Sequence, residues 1–132
     1  MVKNEQAREG QNTKYDSAFI EKNAIKINEI KNVEELNRLC EEIEKLAKSD
    51  KTTFTQIRNI YSRVRKVKEL KDLVALRPVL AYVGARNNIK DLTGLLDRII
   101  KAANKSEHLD SFKKFMEMLV CYKRVHKGQE AS

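Results

Sequence analysis

Turn-forming residues are scarce in this chain of 132 residues, which has four glycines and one proline. That leaves little room for the hairpins of a sheet protein. Tryptophan is absent, and Phe and Tyr together make only 6% of the chain, which argues against a β-sandwich. Cysteine and histidine are limited to Cys40, Cys121, His108 and His126. Two isolated residues of each kind make no zinc ligand set. The histidines stand near the two ends of one helical pattern, roughly 25 Å apart at 1.5 Å per residue, and cannot meet. A Cys121–His126 dyad fails because five helical residues turn the two side chains apart. Gly84 and Gly94 are solitary, so no glycine-rich phosphate loop exists. The carboxylates interleave with lysines as on a solvated helix face and do not cluster. Enzyme chemistry, a cofactor and a metal are therefore not expected.

Long apolar runs are also missing. None approaches the roughly 20 residues of a membrane span. Residues 1–14 are polar and lack the apolar centre of a signal peptide. The expectation is a soluble cytoplasmic protein whose two cysteines are buried, reduced thiols.

What is abundant is Leu, Ile, Lys and Glu, a mixture that suits helices. The predicted fold is all-α, a compact bundle of about five helices spanning residues 15–127. Residues 1–14 and 128–132 are polar and predicted to be flexible or disordered. Residues 15–31 could hold a short helix followed by an extended piece. Asn32, with Glu35 three residues on, then reads as a capping box. Val33, Leu36, Leu39, Cys40, Ile43, Leu46 and Ala47 form the stripe behind it. Glu34, Glu41, Glu42 and Glu44 fall on the opposite, outer face.

Thr53 and Gln56 make a second box, opening a helix with Ile57, Ile60, Tyr61, Val64 and Val67 inward. Residues 70–87 continue with Leu73, Leu76, Leu80 and Val83. A break is predicted at Arg77-Pro78, because proline is tolerated in a first turn and not in a helix interior. Helix swapping about that break is open. Ala81, Gly84 and Ala85 are small enough for another helix to approach. Asn88 is the expected cap of the next helix, whose stripe includes Leu92, Leu95, Leu96, Ile99 and Ile100. Ser106 is the expected cap of the last, with Leu109, Phe112, Phe115, Met116, Leu119 and Val120 inward.

Charge is the most uneven property. The chain has 27 Lys and Arg against 19 Asp and Glu. Residues 51–90 contain ten of the bases and only two acids, Glu69 and Asp72, so this block carries the whole net charge of +8. A field this localised suits a polyanion, most often nucleic acid. The alternatives by charge are DNA bound by a free-standing helical regulator, or an acidic protein. The basic helix lacks the Asn, Gln and Arg mixture that reads base edges.

The phrase Thr53-Phe54-Thr55-Gln56-Ile57-Arg58-Asn59-Ile60-Tyr61 resembles the opening motif of the helical small subunit of type III-A (Csm-type) CRISPR RNA-guided effector complexes. Leu76-Arg77-Pro78-Val79-Leu80-Ala81-Tyr82-Val83-Gly84-Ala85-Arg86 resembles the central motif of that family. Phe112, Phe115, Glu117, Val120 and Tyr122 fit its C-terminal pattern, with Cys121 where a small residue such as Ala is usual. The resemblance implies a non-catalytic structural subunit in antiviral defence. It implies that several copies stack as a homo-oligomer, at least a dimer, beside the other CRISPR effector subunits. Its RNA partners would be the guide RNA and the target RNA. The matching motifs single out Arg58 and Arg86 as RNA-binding candidates. Exposed position within the basic block adds Arg63, Arg65, Lys66, Lys68 and Arg77. Tyr61 and Tyr82 lie on or beside apolar stripes and are read as core residues rather than base-stacking platforms.

Overall fold

The structure is a computed structural model, and it describes residues 14–127. The segments expected to be flexible, residues 1–14 and 128–132, lie outside that range apart from Lys14. The fold is all-α. The helices are α1 (Ser17–Ala24), α2 (Val33–Ser49), α3 (Phe54–Arg65), α4 (Leu70–Val74), α5 (Arg77–Asn87), α6 (Lys90–Lys101) and α7 (Glu107–Val125), with a 3-10 turn at Ile27–Glu29. Six of them have eight or more residues and α4 has only five. The sixth long helix is α1, from the region the sequence left ambiguous. The piece after it is not extended but winds into the 3-10 turn, which buries Ile27.

Every helix contributes to one apolar core. Ile20, Leu39, Ile43, Leu46, Ile57, Val64, Leu73, Leu80, Leu92, Leu96, Ile99, Phe112, Phe115 and Leu119 are all sealed from solvent. Helix α7 runs through the middle and packs on α2 and α3. Helix α1 bridges α2 and α6, and α5 lies on α6.

Local chemistry sets the helix ends. Asp16 caps α1, accepting from the Phe19 N–H at 3.1 Å. Asn32 caps α2, accepting from the Glu35 N–H at 3.0 Å, without the reciprocal bond of a full box. The Thr53 box is complete, with Thr53 and Gln56 exchanging bonds of 3.0 and 3.2 Å. The chain breaks at Ala75-Leu76, and Pro78 falls in the first turn of α5, where no helical N–H is required. The open C-terminal carbonyls of α2 are closed from a distance. Lys123 of α7 is buried and donates to the Ala47 and Asp50 carbonyls at 2.8 and 2.7 Å.

Several expectations are corrected. Asn88 does not cap α6. It sits in the left-handed region (φ 57°) and terminates α5, its N–H bonding to Gly84 O. Asn tolerates that conformation better than most residues. Ser106 stands at the start of α7 but makes no side-chain cap bond. Val33 is 72% exposed because the first turn of α2 projects beyond the core. Glu42 is buried at 7% exposure rather than outward. Its carboxylate accepts from the Asp16 N–H at 2.7 Å and from Lys45 at 3.3 Å. Of the two thiols, Cys40 is half-buried and Cys121 exposed.

Candidate nucleic-acid interface

The apolar stripe of α3 fixes where its basic residues point. With Ile57, Ile60 and Val64 buried, Arg58 and Arg63 emerge about 140° apart on the helical wheel. Arg58 and Arg65 share the flank beside α7. Arg63 takes the other flank, towards α5. Lys66, just past the last turn, is exposed.

Helix α5 leans on α6 rather than on α3, and Gly84 makes this possible. It is buried against Thr93 of α6, and a Cβ at that position would run into the Thr93 side chain. The Thr93 hydroxyl is turned back onto the Ile89 carbonyl at 3.3 Å. This close crossing leaves an open groove of about 300 Å³ between α3 and α5. Arg63, Asn59 and Gln56 line it from α3, and Tyr82, Arg86 and Asn87 from α5. The two family-like motifs therefore meet across one groove.

Tyr82 is not a core residue. The residue is 62% exposed, and its hydroxyl accepts from Arg86 Nη1 at 3.4 Å. On α5 the buried line passes through Leu80 and Gly84, and Tyr82 falls between them on the outside. Tyr61 is half-buried, with the Arg65 guanidinium 5.7 Å from its ring centre.

The remaining candidates separate. Arg77 forms a forked pair with Asp97 of α6, at 2.7 and 3.3 Å. Those hydrogen bonds hold the Asp97 carboxyl below the ordinary carboxylate range and raise the Arg77 guanidinium. Arg77 thus ties α5 to α6. Lys68 is exposed and lines a shallow depression with Lys71, Glu69, Glu107 and Asp110. Arg58 faces the Phe54 ring at 5.7 Å, and Arg124 and Lys127 at the end of α7 approach the same ring. Those last two lie outside the basic block and were not among the sequence candidates. The signal for them was an exposed basic pair spaced three residues apart at a helix end, which a charge count along the chain averages away.

Among the described residues no group of three or more His, Cys, Asp or Glu is placed to hold a metal ion. His108 accepts from the Asn104 N–H at 3.0 Å. His126 pairs with Glu44 at 2.8 Å, on a different part of the molecule. No helix among the described residues is long and apolar enough to cross a membrane.

A family model described as Csm2 Type III-A matches residues 30–129. The chain belongs to that family. It is therefore a subunit of the type III-A CRISPR effector class, as the resemblance in its motifs implied. The match takes in both sides of the α3/α5 groove and the end of α7. No curated protein and no solved structure matches this Csm2-family chain.

Proposed function

We propose that this chain is a non-catalytic, RNA-binding structural subunit of a cytoplasmic type III-A effector complex. Several copies stack as a homo-oligomer along the guide–target RNA duplex, beside the other effector subunits. Target cleavage and signalling chemistry fall to those neighbours. The observation that carries the reading is the α3/α5 groove, where Arg63 and Arg86 face one open channel. Neither is paired with a carboxylate among the described residues.

The chemistry fits a duplex whose sequence is already read by base pairing. Such a partner needs a protein that grips backbone and shape, not base edges. An arginine can fork onto a phosphate, and its charge does not titrate away. Arg63 and Arg86 supply two such forks. Arg58, Arg65 and Lys66 continue the positive surface over α3, and Tyr82 offers an exposed ring face on which a base can stack. Arg77, held by the Asp97 carboxylate, contributes least to that grip.

The test is a titration of single-stranded RNA, guide–target duplex and double-stranded DNA at two salt concentrations. RNA affinity should be indifferent to sequence and fall with salt, with a log–log slope of roughly −0.7 to −0.9 per phosphate contacted. Arg63→Ala/Arg86→Ala should lower it by roughly 25-fold at 0.1 M salt, from two lost phosphate contacts. Tight, sequence-specific DNA binding would instead mark a free-standing DNA-binding regulator.

A further inference from the structure

The α7-facing flank of α3 carries a second basic cluster. Phe54 opens α3 and is half-buried there. Three cations converge on its ring: Arg58 from the next turn at 5.7 Å, Arg124 from the last turn of α7 at 5.4 Å, and the Lys127 ammonium at 5.2 Å. All three are exposed. None is paired with a carboxylate among the described residues; Glu44, on α2 nearby, is engaged by His126. All three positive heads therefore lie 5.2–5.7 Å from one ring centre, with no carboxylate partner among the described residues.

We propose that Arg58, Arg124 and Lys127, gathered around Phe54, form a second RNA-phosphate site, so that the nucleic-acid backbone is held on both flanks of α3. This rests on the RNA-facing reading above and extends it to α7. The ring explains how the site is built. An aromatic face attracts cations without using their N–H donors or cancelling their charge. The cations are thus drawn together with their donors available. Successive phosphodiesters of an RNA backbone can accept from the two guanidinium forks and the ammonium. The alternative role, three cations that only shield an apolar ring, leaves RNA affinity untouched.

The deciding variant is Arg124→Ala/Lys127→Ala in the full chain, which keeps Phe54, Arg58 and the whole 51–90 block. Lys22→Ala/Lys48→Ala removes the same charge from exposed positions on α1 and α2 and serves as the control. The probes are single-stranded RNA and a guide–target duplex, titrated between 50 and 200 mM salt. The proposal expects roughly 25-fold weaker binding at 0.1 M salt and a log–log slope shallower by about 1.4, from two lost phosphates on a single strand. The control should keep the wild-type slope. If the α7 variant matches the control while Arg63→Ala/Arg86→Ala still weakens binding, the α7 site is overturned and the groove stands. If only the α7 variant weakens binding, the site stands and the groove reading falls. A wild-type chain that binds no RNA overturns both.

Discussion

Arg77 and Arg86 occupy the same motif and do different work. Arg86 donates to the Tyr82 hydroxyl one turn earlier on the same wall of the groove, whereas Arg77 is held by the Asp97 carboxylate. Their substitutions should separate accordingly. The pH dependence follows from the direction of the Asp97 shift. Arg77 depresses this carboxyl in the folded state, so the pair contributes stability above the unfolded carboxylate range. That contribution is lost as pH falls through the depressed value. Asp97→Asn should therefore lower the melting temperature at pH 7, and the gap to wild type should narrow below about pH 4. A pH-scanned melting series checks this; a gap that stays constant down to pH 2 contradicts it. The pair itself was invisible in sequence, where Arg77 was one more charge in a basic block.

At the level of elements, legibility tracked how local the cause was. The Thr53 box needed only residues three apart and stands as read. The break before Pro78 followed from proline stereochemistry. Asn88 was misassigned because Asn suits both a helix start and a left-handed helix end, and only the path of the chain decides between them. Glu42 looked outward until a partner 26 residues away in sequence, the Asp16 N–H, supplied its hydrogen bond. Gly84 was marked as a point of close approach, but the opposing residue, Thr93, emerged only from the fold. That crossing sets the groove. Gly84→Ala should overpack it and cost about 1–3 kcal/mol, read as a lower denaturation midpoint. Adding Thr93→Ala should restore part of the loss, because the two side chains compete for one space. Additive losses would show that the crossing tolerates the extra methyl in another way.

The whole molecule carries its charge differently from the chain. Along the sequence, the positive field is confined to residues 51–90. In space it runs from Arg86 and Arg63, over Lys66, to Arg58 and Arg65, and then onto Arg124 and Lys127 of a helix far along the sequence. Arg77, counted in the block, is offset locally by the Asp97 carboxylate. The fold class and the two motifs were therefore readable, since periodicity and capping are local. The proposed interface was only half readable, since which charges carry a carboxylate partner is settled by tertiary pairing.

The central claim is that this Csm2-family subunit assembles in several copies on a guide–target RNA duplex. The most direct measurement is native mass spectrometry of the chain co-expressed with the other effector subunits and a guide RNA. The account predicts an RNA-containing assembly with more than one copy of this chain, and copies lost when Arg63 and Arg86 are replaced by alanine. A chain that stays outside the assembly, or enters it unchanged without those arginines and without RNA, contradicts the account.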